Sequence, residues 1–339
     1  MKILAIESSC DDSAVAIVDA TERRLSIRAS RVHSQNVLHA PFGGVVPEIA
    51  SRSHVEMMTP LVRDTLSDAG ATLANIDAFA VTYGPGLVGS LLVGLQTAKA
   101  LAYAAKKPFI GVHHLEGHIA AITLDRDDPP APPFLALVAS GGHTALYFVR
   151  AWGDYETVGQ TRDDAAGEAF DKGAKLLGLG YPGGPAIERA AVSGNDAAIA
   201  LPRALPARDS FDFSFSGLKT ALWQHVQKHG VPTGAALADA AASLEAAIVD
   251  ALVKKTVTAA RRKNAPRSVL AGGVAANTRL RALLTRTAAA YAIAVELPPK
   301  PLCTDNAAMI AAAAAPRLAA GESSPLDLNA VPTLPLGSR

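Results

Sequence analysis

Residues 3–18 read ILAIESSCDDSAVAIV, and residues 134–149 read FLALVASGGHTALYFV. Each is an apolar run, a short turn of small polar residues or glycine, and a second apolar run, which predicts strand–turn–strand. Laid over one another without a gap, they put Ser9 over Ser140, Ser13 over Thr144 and Ala14 over Ala145. Unrelated hairpins would share the apolar runs, because those are common, but not the matched turn positions. One hairpin repeated at the head of each half therefore predicts a duplicated fold.

The segments around the hairpins set its class. Ile76 to Tyr83 reads as a strand, the glycine turn GPGLVG follows, and Ser90 to Ala105 reads as a buried helix; Glu48 to Ala69 carries an apolar helical face. Helices are expected from Pro185 to about Val192 and over Gly234 to Arg262. A strand at Ser268 to Leu270 meets the turn AGGVAAN, and Cys303-Thr304-Asp305-Asn306 opens a last, alanine-rich helix. Strands alternating with helices mean α/β. The proline-rich run at 125–133 divides a lobe over 1–130 from a second over 131–325. The second holds a loop-rich insert near 193–215, and a tail occupies 326–339.

The chain has 339 residues, more than one ordinary core, and 49% are hydrophobic. A net charge of +1 and 5% aromatic residues give no global signature of nucleic-acid binding, so an RNA partner needs a local patch or helper subunits. Arg261-Arg262-Lys263 and Arg279, Arg281 and Arg286 read as solvated helix faces rather than an RNA contact. The two cysteines, Cys10 and Cys303, read as free thiols in a reducing compartment. With no signal-type leader and no convincing membrane span, a cytoplasmic protein is expected.

Three sets of residues suggest chemistry. In both hairpin turns, small residues let backbone N–H groups approach an anion, and Ser140-Gly141-Gly142 is the better example; an ordinary tight turn would look the same. The turn Ala271-Gly272-Gly273-Val274, between a strand and the helix of Asn277, offers a helix N-terminus to an anion. The stretch His113-His114-Leu115-Glu116-Gly117-His118 places His114 and His118 four residues apart, on one helix face, as a metal site requires. Two structural histidines would share that spacing, and a third ligand decides between the readings. Asp305 is a candidate, although an aspartate just before a helix is also a common N-cap. Asp11 and Asp12 lie in the first turn, and Asp163, Asp164, Glu168, Asp171 and Lys172 crowd a short stretch before Tyr181-Pro182-Gly183-Gly184-Pro185.

Taken together, AIESSCDDSAVAIV, GGVVPEIASRSHVE, GPGLVGSLLVGLQTAKALA, GVHHLEGHIAA, ASGGHTALYFV, DDAAGEAFDKGAKLLGLGYPGGP, FSFSGLKTA, AGGVAANTRLR and CTDNAAMIA span Ile3 to Ala312. In this order they resemble the bacterial tRNA threonylcarbamoyladenosine transferase subunit family (TsaD type, formerly O-sialoglycoprotein endopeptidase). The resemblance implies an actin/Hsp70/sugar-kinase-like fold, two lobes around a nucleotide cleft. It implies that His114, His118 and Asp305 ligate one divalent metal ion, iron(II) or alternatively zinc. It also implies that Val138, Ala139, Ser140, Gly141, Gly142, Asp171, Gly184 and Asn277 hold threonylcarbamoyl-AMP. Glu188 stands where some relatives have an acidic ligand, there an aspartate.

The implied reaction moves the threonylcarbamoyl group from that adenylate to the exocyclic amine of the adenosine 3′ of the anticodon, at position 37. The tRNAs are those reading codons that begin with A, AMP is released, and partner subunits of TsaB and TsaE type assist. Asp11 is the candidate catalytic residue at the reacting end, with Glu116 as a second candidate base. Alternatives are an ATPase or sugar kinase of the same fold, a metalloprotease, and a non-catalytic scaffold. In HLEGH the glutamate is not at the second position where a zinc protease keeps its base.

Overall fold

A computed structural model describes residues 1–203, 205 and 210–337. The chain divides into two compact units, Met1–Pro130 joined by Thr304–Arg339, and Ala131–Cys303.

The first unit opens with β1 (Lys2–Glu7), β2 (Asp12–Ala20) and β3 (Leu25–Ser34), followed by the short α1 (Asn36–His39) and α2 (Pro47–Asp68). Proline at the first position and Glu48 in the first turn suit the start of α2. Next come β4 (Ala78–Gly84), α3 (Val88–Ala105), β5 (Phe109–His113) and α4 (His114–Ala120). The sheet order is β3-β2-β1-β4-β5, with β4 and β5 parallel to β1. α2 and α3 bury Met58, Leu61, Leu95 and Ala98 with Leu4, Ile6, Val15 and Val81. Burial of that kind contributes about 25 cal/mol per Å² of apolar surface. α3 is long and apolar enough to cross a membrane by composition, but its Leu95, Ala98 and Ala102 lie in this core.

The second unit repeats the plan with β6 (Phe134–Ala139), β7 (Thr144–Ala151) and β8 (Asp154–Gln160). After these come α5 (Ala166–Leu176), α6 (Gly183–Ala191), α7 (Ser216–His229), α8 (Gly234–Arg262), β9 (Arg267–Ala271), α9 (Thr278–Ala289) and β10 (Ala294–Glu296). Its order, β10-β9-β6-β7-β8, is that of the first sheet listed from the other edge. The two hairpins also share register. Ile3 faces Val18 and Glu7 faces Ala14; Phe134 faces Val149 and Val138 faces Ala145. These are the pairs that the gapless superposition demands.

The final helix, α10 (Ala307–Ala319), changes the expected partition. The sequence reading assigns residues through 325 to the second lobe, but the second unit ends at Cys303. The reason is burial. Residues 307–315 of α10 are all buried and pack on β1, β2, β4 and α4 of the first unit. Part of the insert expected near 193–215, residues 204 and 206–209, lies outside the described residues; beyond it Phe213 bridges to Thr161.

Candidate metal centre and donor site

In the first unit the chemistry gathers where β1 and β5 end. His113 closes β5 and caps α4, its Nδ1 accepting from Leu115 N at 3.1 Å. α4 then presents His114 and His118 one turn apart, with ring centroids 4.7 Å apart and planes at 79°. Gly117 permits the close seat of α4 on α10, because a Cβ there would lie 2.7 Å from Ile310 Cδ1.

Asp305 is the third member of the cluster. The N-cap of α10 is its neighbour Asn306, whose side chain accepts from Met309 N at 3.0 Å. The capping explanation for Asp305 therefore falls. Asp305 Oδ1 lies 3.1 Å from His118 Nε2 and 3.6 Å from His114 Nε2. One ligand atom from each of the three residues falls within a 4.8 Å spread.

Behind them stands Glu7, fully buried at the end of β1. Its Oε1 accepts from Ser9 N at 2.5 Å and its Oε2 from Thr82 Oγ1 at 2.5 Å. Oε2 also lies 3.1 Å from His114 Nδ1. Glu7 thus orients one ring nitrogen of His114 and leaves the other facing Asp305, the carboxylate–histidine arrangement found behind metal ligands.

Two carboxylates flank His114 and favour positive charge there. Burial pushes the His114 imidazolium down, but Glu7 and Asp305 outweigh it and raise the pKa to about 9. Burial pushes Glu7 up, and the opposing charge of His114 brings its pKa below the usual carboxylate value. Both ring nitrogens of His118 are buried and, among the described residues, neither has a partner in hydrogen-bonding geometry, although Asp305 Oδ1 stands close to Nε2. Two imidazoles and a carboxylate are a donor set for iron or zinc, so the residues fit the group.

Asp11 and Asp12 lie in or beside the β1–β2 turn. Burial, then Asp305, raises the pKa of Asp12 to about 7, and Asp11 is raised by burial too. The turn is braced from two sides. Leu87 N donates to Ser9 O at 2.8 Å, and a Cβ on Gly86 would lie 2.5 Å from that oxygen. On the other side His54 of α2 holds Ser13 Oγ at 2.6 Å and Cys10 O at 2.9 Å. Glu116, two residues from each histidine, sits about 200° round the helix from both.

In the second unit the sequence-selected positions collect at the carboxyl ends of the parallel pair β6 and β9, where Val138 faces Ala271. Ligands of open α/β sheets bind at such ends. Gly141 and Gly142 are exposed, and among the described residues no heavy atom beyond their chain neighbours stands within 4 Å of where their Cβ atoms would be. α5 starts against this turn, since a Cβ on Gly167 would lie 2.6 Å from Ser140 O. Gly272, at φ +87°, would place a Cβ 2.5 Å from Ala139 O.

One helical turn further along α5, Asp171 Oδ1 accepts from Gly183 N at 2.7 Å, fixing the start of α6, where Gly184 also sits. Glu188 of α6 accepts from Thr278 N at 3.1 Å. Asn277 caps α9 through Leu280 N at 2.8 Å and donates to buried Glu245 at 2.7 Å. Burial, chiefly, raises the pKa of Glu245.

Sequence reasoning missed Glu7 and Glu245. The signal for Glu7 was a carboxylate ending an otherwise apolar buried strand; Glu245 had none in a long alanine-rich helix. Elsewhere Asp163 accepts from Phe215 N, Ser214 Oγ and Ser216 Oγ and so pins the start of α7. The basic cluster is engaged locally: Arg261 lies over Tyr291, Arg262 over Phe211, and Arg279 pairs with Asp196 at 2.5 Å. Both cysteines are free.

Duplicated sheets of this order, with their polar residues at the ends of the central strands, define the actin/Hsp70/sugar-kinase class. The activator of the 2-hydroxyisocaproyl-CoA dehydratase from Clostridium difficile, with bound ADPNP, shares the fold at a TM-score of 0.53. The two are 15% identical, over 95% of this chain and 97% of that one. Full-length HypF, in a phosphate- and nucleotide-bound form, matches at a TM-score of 0.62 and 12% identity, over 95% of this chain and 47% of HypF. Within that class the chain belongs to the tRNA N6-adenosine threonylcarbamoyltransferase family, whose model matches residues 26–312. A curated protein of that name from Anaeromyxobacter dehalogenans (strain 2CP-C) is 58% identical over 332 residues, 98% of each chain.

Proposed function

We propose that this chain transfers the threonylcarbamoyl group from threonylcarbamoyl-AMP to the exocyclic amine of adenosine 37 in tRNAs reading codons that begin with A, releasing AMP. Membership of the family supports the reaction. The observation that carries the site assignment is Asp305, relieved of capping by Asn306 and turned to His114 and His118. His114, His118 and Asp305 would hold iron(II) or zinc. Bound there, such an ion would supply Lewis-acid polarisation of the donor.

The other steps belong to side chains and backbone. Glu7 and Ser9 hold the His114 ring, keeping its outer nitrogen toward Asp305. The N–H groups of Gly141 and Gly142 are offered to the donor's phosphate, stabilising AMP as it leaves, while the Ser140 N–H closes the turn on His143 O at 2.8 Å. Asp171, Gly184 and Glu188 frame the nucleoside, and Asn277 is presented with its amide oriented by Glu245. An aromatic exocyclic amine is a weak nucleophile, so placement contributes more than a strong base. Asp11, in the braced turn, takes the amine's proton. A cytoplasmic location and partner subunits of TsaB and TsaE type complete the reading.

The test is transfer in vitro, with purified chain, partner subunits, threonylcarbamoyl-AMP and an unmodified tRNA transcript. Modified nucleoside and AMP should appear in equal amounts, fall after chelation and return on adding metal. Absence of product with every component present would contradict the proposal.

A further inference from the structure

The end of α10 and the segment after it return along the free edge of β5 and reach the residue beside the first candidate metal ligand. Arg317 Nη1 donates to Gly111 O at 3.1 Å, and Ser324 N donates to Phe109 O at 2.8 Å. Gly111 N donates to Ser324 Oγ at 3.0 Å. These bonds cover a strand edge that would otherwise expose unpaired backbone groups. The chain then crosses the end of β4, where Val331 N donates to Tyr83 O at 2.8 Å and Gly86 N to Pro332 O at 3.1 Å. The crossing is close, because a Cβ on Gly84 would lie 2.3 Å from Val331 O. Beyond it, Leu334 O lies 2.9 Å from His113 Nε2, and Leu336 is buried.

His113 is therefore held at both ring nitrogens. Nε2–H donates to the Leu334 carbonyl, which leaves Nδ1 as the acceptor that caps α4 through Leu115 N. The bond from the tail selects the tautomer that the cap needs, and α4 carries His114 and His118. We propose that residues 331–336 are a strap that acts through His113, as a positioning residue, to set the α4 histidines for metal binding. The inference rests on the metal-site reading above.

The test uses full-length protein freed of metal and titrated with cobalt(II), following the visible absorption of the bound ion, with thermal midpoints recorded in parallel. His113→Asn keeps an N-cap side chain on α4 but loses the reach to Leu334. Deletion of residues 333–339 keeps the cap and removes the carbonyl. Each should weaken cobalt binding by about 10–100-fold and alter the absorption band, the usual consequence of losing an outer-shell partner. The double variant should be little worse than either single one, since both cut one connection. Cobalt affinity within twofold of the parent in both variants, or losses that multiply in the double variant, would overturn the strap. A parent protein whose cobalt spectrum is unchanged by His118→Ala would instead overturn the metal site, and the strap with it.

Discussion

The difference between Asp305 and Asn306 decides how the end of the chain is read. Either residue type makes a good N-cap, and sequence alone leaves the choice open. The structure gives the cap to Asn306 and points Asp305 at the histidines. The His114/His118 pair was legible because helix periodicity is local. Glu7 was not, because its partners Thr82 and His114 lie 75 and 107 residues away. Its buried charge makes a specific prediction. Glu7→Gln keeps the shape but removes the negative charge behind His114, and zinc affinity measured by equilibrium dialysis should fall about 10–100-fold. Unchanged affinity would mean that Glu7 serves only the turn.

Among the elements, the hairpins and the long helices were readable, and edge elements were not. β3, RLSIRASRVHS with its preceding arginine, buries only Ala29 and lacks a clean apolar alternation. α10 was readable as a helix, but its docking was not, since an alanine-rich surface fits many partners. Close approaches between elements also leave no trace in a single sequence beyond a glycine. At Gly167 that glycine lets the start of α5 touch the Ser140–Gly142 turn. Gly167→Ala should push the turn away and weaken binding of a non-hydrolysable donor analogue by roughly tenfold, about 1.4 kcal/mol. Isothermal titration would read it, with cobalt affinity unchanged as the control. Equal donor affinity would remove the turn from the donor site.

Across the whole molecule, the duplication holds to the level of register. The position that is Glu7 in the first hairpin is Val138 in the second. One copy thus ends its first strand on a carboxylate behind the candidate metal ligands, and the other on an apolar residue followed by an open glycine turn. The partition at Cys303 was missed at this scale: α10 belongs with Asp305, and burial rather than sequence order assigns it to the first unit.

Metal-dependent transfer of threonylcarbamoyl to tRNA is the activity proposed for the chain. It is tested most directly by mass spectrometry of tRNA nucleosides from bacteria depleted of their own transferase and supplied with this chain. The parent should restore threonylcarbamoyladenosine, and His118→Ala, accumulating as folded protein, should not. Full restoration by His118→Ala, or none by a folded parent in the presence of its partner subunits, would contradict it.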